Sequence, residues 1–168
     1  MALVIDPQRD TDRVEAAARD AGVTITHVAE THIHNDYLTG GLELARAHGA
    51  SYLVNAADPV HFERQPITDG ETVRVGALTV KAVATPGHTH THLSFIVDDG
   101  GQQAVFSGGS LLYGSVGRTD LVGAEDTLGL THDQYASVHR LVGEAAPDAA
   151  LFPTHGFGSF CSSGPASG

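Results

Sequence analysis

Lysine occurs once in this chain, at Lys81, and cysteine once, at Cys161. Nine basic residues stand against 20 acidic ones, a formal net charge of −11. That balance argues against non-specific binding to nucleic acid or to anionic membrane surfaces. A lone cysteine rules out an internal disulfide and fits a reducing compartment, so a cytoplasmic location is expected. No apolar run reaches the roughly 18 residues a membrane-spanning helix needs. The opening segment Met1–Pro7 has no basic flank and too short an apolar stretch for a signal peptide. What the chain does have is histidine, 11 in 168 residues, and glycine, 20 without a repeat. One domain is the natural expectation at this length. Histidine at such density in an acidic chain makes metal binding the first property to test.

Hydrophobic spacing predicts the order of elements. Residues 2–5 and the β-branched stretch 23–28 read as strands, separated by a helix over 10–21 that ends at Gly22. A second helix is expected over 37–48, ended by Gly49, and a strand over 51–54. The β-α-β-α-β order implies a parallel sheet covered by helices. Strands 71–75 and 78–84 are joined through Gly76-Ala77, and strands 92–97 and 104–106 through a turn containing Asp99-Gly100. A helix is expected over 131–144, with Thr131 and Gln134 as a capping box and Tyr135, Val138, Leu141 and Val142 on one buried face. A short strand over 149–152 closes the ordered part, and 161–168 reads as a disordered tail behind a domain spanning 1–160. The class is α/β with mixed sheets, not a doubly wound fold.

Three loops leaving strand ends carry histidine. The first is Thr31-His32-Ile33-His34-Asn35-Asp36-Tyr37. In an extended backbone, alternate residues point the same way, so His32, His34 and Asp36 can face one point. Imidazole with carboxylate suits Zn, Fe or Mn. The second is Pro86-Gly87-His88, a tight turn that presents His88 at a sheet end. His90 and His92, just beyond it, read as supporting residues or strand starts rather than ligands. The third is Pro153-Thr154-His155-Gly156. His27, His48, His61, His132 and His139 fall on strand or helix faces and read as structural or surface residues.

Together these segments resemble the metallo-β-lactamase superfamily, whose pattern runs HxHxDH, then a PGH turn, then an Asp after a later strand, then a final His. Here the matches are His32-x-His34-x-Asp36, Pro86-Gly87-His88 and His155. Phe106-Ser107-Gly108-Gly109, followed by Gly117-Arg118-Thr119-Asp120, is similar to the persulfide dioxygenase and glyoxalase II branch. The resemblance runs from Val4 to His155. It implies an αβ/βα sandwich with a metal site at one edge of two sheets, N-terminally shortened by two strands relative to the family. An uncovered edge at strand 2–5 would favour a homodimer.

The resemblance also exposes two departures. The family's second-site His is Tyr37 here, and its metal-bridging Asp falls on Gly109, which has no ligand atom. The expected first site is therefore His32, His34 and His88, holding one divalent ion, Fe(II) or Zn(II). Asp36 and His155 remain for a weak second site, or serve beside the first as base and orienter. Asp36, Tyr37 and Arg118 are the candidate catalytic residues. Arg118 is read either as a clamp for the carboxylate of a glutathione-like thiol substrate or as an ion-pair partner of Asp120. An Asp at position 109 is expected to raise metal affinity, unless the glycine is there for a positive φ. The activities this implies are oxidation of a low-molecular-weight thiol persulfide, glyoxalase II-type thioester hydrolysis, or metal and thiol binding without turnover.

Overall fold

The computed structural model describes residues 1–156 and 159–163. Its elements are β1 (Ala2–Ile5), α1 (Asp12–Asp20), β2 (Ile25–Ala29), α2 (Gly41–His48), β3 (Ser51–Asn55), β4 (Gln65–Ile67), β5 (Thr72–Val75), β6 (Leu78–Ala84), β7 (Leu93–Asp98), β8 (Gln103–Gly108), β9 (Leu111–Leu112), β10 (Ser115–Val116), α3 (Thr127–Glu144) and β11 (Ala150–Pro153). They build two main sheets. One is all parallel in the order β1-β2-β3-β4. The other has the order β11-β8-β7-β6-β5, antiparallel except where β11 runs parallel to β8.

Side-chain alternation along the strands explains the layering. On β3, Leu53 turns inward to the facing sheet, while its neighbours Tyr52 and Val54 turn outward under α2. On the other sheet, Val80, Ala82, Leu93 and Phe95 meet Ala29, Leu53 and Ile67 to form the central core. Ile25, Val28 and Leu44 pack the helical face of the parallel sheet, with Val14 and Ala18 of α1 closing over them. Val83, Ile96 and Val105 receive Leu141 of α3 on the opposite side. Helix, sheet, sheet and helix therefore stack as the expected αβ/βα sandwich.

Several boundaries differ from the sequence reading. α3 begins at Thr127, one turn before Thr131, so Thr131 is not a cap; its Oγ1 donates to the Thr127 carbonyl at 2.7 Å. Gln134 is buried, and its amide donates to the Ser110 carbonyl at 2.8 Å. The helix buries Leu130, Gln134, Ser137 and Leu141, whereas Tyr135 and Val142 face solvent. Polar side chains with partners took the inner face, which hydrophobic periodicity cannot register. α2 starts at Gly41, because Gly40 N and Thr39 Oγ1 donate to the Pro7 carbonyl at 2.9 and 3.1 Å and hold the preceding residues as a loop. β4, three residues containing Pro66, is too short to show a period. The tail reading also needs correction at its start. Cys161 and Ser162 are buried, and the backbone bonds Arg118 N to Cys161 O and Ser163 N to Val116 O tie this segment down. Residues 164–168 lie outside the described residues.

Phe95 is fully buried between the sheets. Phe95→Ala should lower unfolding free energy by about 3–5 kcal/mol, through lost transfer energy and an unfilled cavity. Urea denaturation followed by circular dichroism checks this, with the exposed Leu38→Ala expected to fall within about 0.5 kcal/mol of the parent.

Candidate metal centre

Five chain segments leave their strands at one edge of the sandwich. Asp6 follows β1, Glu30 to His32 follow β2, Thr85 to His88 follow β6, Gly109 follows β8, and Thr154-His155 follow β11. They bring His32, His88 and His155 together with one ring nitrogen of each within 4.8 Å of the others. All three residues are buried.

The second nitrogen of each ring is already committed. Thr31 Oγ1 donates to Asp6 Oδ2 at 2.7 Å, so it accepts from His32 Nδ1–H at 2.9 Å. His88 Nδ1–H donates to the Arg118 carbonyl at 2.9 Å. His155 Nδ1 lies 3.3 Å from Asp36 Oδ2. Each Nε2 is thereby left as a lone pair. His32 and His155 place these atoms 3.4 Å apart. Burial disfavours the charged ring and holds His32 well below the ordinary histidine range, with His88 and His155 also lowered. Three neutral imidazoles with unshared pairs turned together repel one another until a cation sits between them. The donor set therefore fits a divalent ion such as Zn or Fe.

His34 stands slightly apart. Its ring packs on His32 with centroids 4.1 Å apart, but its Nε2 turns to Asp6 Oδ1 at 3.3 Å, Glu30 Oε2 at 3.5 Å and the Tyr37 hydroxyl at 2.9 Å. Burial alone would lower its pKa; the two carboxylates outweigh that and raise it to about 9. Its Nδ1 is buried with no hydrogen-bond partner among the described residues, 3.8 Å from Asp36 Oδ1. His34, Asp36 and His155 accordingly form a second donor group, sharing His155 with the first. His32 and His88 thus come together with His155, while His34 falls in one group with Asp36 and His155 and in another with Asp6 and His32.

Tyr37 and Arg118 take supporting positions. The Tyr37 hydroxyl donates to the Asp6 carbonyl at 3.2 Å, and burial beside Asp6 and Glu30 raises its pKa. The Arg118 backbone carbonyl anchors His88, while its guanidinium forks onto Asp120 at 2.6 and 2.7 Å and lies over the Phe160 ring. The ion pair with Asp120 is the arrangement present for Arg118.

Four residues that the sequence reading did not single out as part of the site shape it. Asp6 is buried, adopts a left-handed φ of 50°, and accepts from Thr31 N, Thr31 Oγ1 and Thr154 Oγ1. Burial opposes its charge, but His34 and the two threonines prevail and lower its pKa. Glu30, buried beside it, is raised by that burial and by Asp6. Thr31 and Thr154 each stand one residue before a histidine of the cluster, but Thr-His also occurs at 26–27, 89–90, 91–92 and 131–132, so the pair carried no signal for the site. His92 proves to be a support, as expected: its Nδ1 meets Thr85 Oγ1 at 2.8 Å and its Nε2 accepts from Gly109 N at 3.0 Å. His90 is solvent-exposed near Asp126.

Gly109 faces the site, but its reason is steric. A Cβ there would lie 2.3 Å from His88 Cδ2 and 2.8 Å from its Nε2. The left-handed glycine is its neighbour Gly108, with φ 54°. Beside the cluster, the buried Cys161 thiol meets the Asp36 carboxylate, and burial with that negative charge pushes its pKa up to about 11.

An αβ/βα sandwich with histidine-bearing loops converging at one sheet edge defines a class of metal-dependent hydrolases and oxidoreductases. Residues 2–155 match the metallo-beta-lactamase superfamily, and the chain belongs to that family. It is similar to a solved metallo-beta-lactamase from Staphylococcus aureus, with a TM-score of 0.84 and 29% identity over 95% of this chain and 50% of that one. It is 29% identical to the human mitochondrial persulfide dioxygenase ETHE1 over 95% of this chain and 60% of the relative. It is 33% identical to the atrochrysone carboxyl ACP thioesterase of Aspergillus terreus over 67% of this chain and 35% of that protein. The chain thus spans between about a third and three fifths of the curated relatives it matches. Among the described residues no helix is long and apolar enough to cross a membrane.

Two outcomes follow. Protein purified without added metal should hold about one tight divalent ion per chain by elemental analysis, and His32→Ala, His88→Ala or His155→Ala should each weaken it by about 100-fold or more. Two equally tight ions would contradict this. Gly109→Asp should weaken metal binding in a chelator competition by about tenfold or more, because the new side chain displaces His88 from its carbonyl anchor; this reverses the direction expected from sequence.

Proposed function

We propose that this chain is a metal-dependent enzyme that oxidises a low-molecular-weight thiol persulfide such as glutathione persulfide, in the manner of the persulfide dioxygenases it is similar to. The observation that carries the reading is the cluster of three neutral imidazoles with no carboxylate at position 109. It forms one three-histidine donor set. A divalent ion held by His32, His88 and His155 would supply Lewis acidity and, as Fe(II), the capacity to react with dioxygen. Thr31, the Arg118 carbonyl and Asp36 fix the three ring orientations. Asp36 also stands as the carboxylate that takes a proton from an incoming S–H group.

Thioester hydrolysis is the second reading. It is favoured by the His34, Asp36 and His155 group beside the first and by the likeness to a thioesterase. In that case Asp36 takes a proton from water instead. Binding of metal and thiol without turnover is the third outcome. Oxygen-electrode assays with glutathione persulfide, run beside hydrolysis of a glutathione thioester, separate the three. The expected result is oxygen uptake that falls by about 100-fold or more in His88→Ala. Hydrolysis without oxygen uptake would overturn the proposal in favour of the second reading.

A further inference from the structure

The outer face of α3 is unlike the rest of this acidic surface. Leu128, Tyr135 and Val142, seven residues apart, are 71%, 70% and 63% exposed. One position further along runs Gly129, Ala136 and Gly143, also seven apart. A Cβ at Gly129 or Gly143 would meet nothing within 4 Å among the described residues. Each helical glycine costs about 1 kcal/mol relative to alanine, and packing within the chain gives no return for it. Thr131, His132, Val138 and His139 complete this half of the helix, which carries no Asp, Glu, Lys or Arg in a chain of net charge −11. The Tyr135 ring is held edge-on against His139 with centroids 4.2 Å apart, so it is presented as a fixed knob. Beside it lies a groove of about 750 Å³ walled by Val116, Thr119, Thr131 and Val138.

We propose that this face is a homodimer interface on which a second copy packs its own α3 antiparallel, about a two-fold axis between Tyr135 and Ala136. The large stripe and the small stripe are self-complementary in that register alone. Tyr135 lies over the partner's Ala136, Leu128 over the partner's Gly143, and Val142 over the partner's Gly129. The same surface serves both subunits, as an isologous contact requires. The three large side chains expose about 400 Å², already in the range that marks interaction surfaces. The uncharged half of an 18-residue helix and the groove beside it bring the face to the order of 800 Å² per partner, the amount a standard stable interface buries. The uncharged half of the helix lowers the repulsion between two strongly acidic chains, and the two charges in the groove, Arg118 and Asp120, are paired with each other. This inference is independent of the proposed chemistry, since no residue of the metal cluster lies on the face.

Light scattering and sedimentation on the full chain at about 100 μM should give twice the chain mass. Tyr135→Glu should halve it while leaving the native circular dichroism spectrum unchanged, because Tyr135 is exposed in the single chain, and the unfolding midpoint of the variant should lose the dependence on protein concentration that the parent shows. Under mild oxidation Ala136→Cys should cross-link across the axis, the parent chain serving as the background for buried Cys161. Gly143→Cys should not, because in an antiparallel pair the two copies of residue 143 stand about 20 Å apart. A monomer at that concentration overturns the proposal. So does a dimer indifferent to Tyr135→Glu, which would place the contact elsewhere, for instance at the β1 edge. Cross-linking through 143 as readily as through 136 overturns the antiparallel register.

Discussion

A single buried carboxylate ties the site edge of this molecule together. Asp6 ends β1, accepts from Thr31 after β2 and from Thr154 after β11, and faces His34. Its partners come from both main sheets, so it clamps the sandwich where the histidines emerge. Burying a carboxylate costs several kcal/mol unless its oxygens are satisfied, and here they accept several donors. The left-handed backbone at Asp6, just before Pro7, is the local distortion that points the carboxylate inward instead of along the strand. Because Thr31 precedes His32 and Thr154 precedes His155, the same carboxylate fixes the approach of two of the three clustered rings.

The cluster is a store of unfavourable electrostatics held by that frame. Thr31, the Arg118 carbonyl and Asp36 each consume one ring nitrogen, which turns the remaining lone pairs of His32, His88 and His155 toward a common space. Below them His92 uses both its nitrogens to hold Thr85 and Gly109. That tight layer explains why position 109 has no side chain: His88 occupies the volume a Cβ would need. An arrangement prepared in this way would accept an ion without reorganising.

Much of the fold was legible because it rests on local patterns. β1 and β6 appear at their expected residues, and the parallel first sheet followed from alternating strands and helices. The same reasoning failed at α3. Gln134 and Ser137 are buried through hydrogen bonds to Ser110 and Pro86, while apolar Tyr135 and Val142 are exposed. Hydrophobic periodicity assumes that apolar residues face inward, and it has no term for a polar residue whose partner lies on another element. The buried Cys161 and Ser162 failed for a related reason: their order comes from pairing with Val116 to Arg118, some 45 residues away, and a Ser-rich composition hides it.

At the site, the sequence by itself determined which loops carry donors, since Thr31 to Asp36, Pro86-Gly87-His88 and Pro153 to His155 each follow a strand recognisable from its own residues. It also determined that position 109 offers no ligand atom. Only the tertiary structure decided which donors meet. His155 sits with His32 and His88 because Asp36 and Asp6 hold its loop against the β2 loop, and His34 turns its Nε2 away because Asp6 and Glu30 draw it. Spacing along a chain fixes which way a side chain can point within one loop. The distance between loops is set by sheet pairing and by buried charges whose partners are up to 148 residues apart, and no local pattern contains that information.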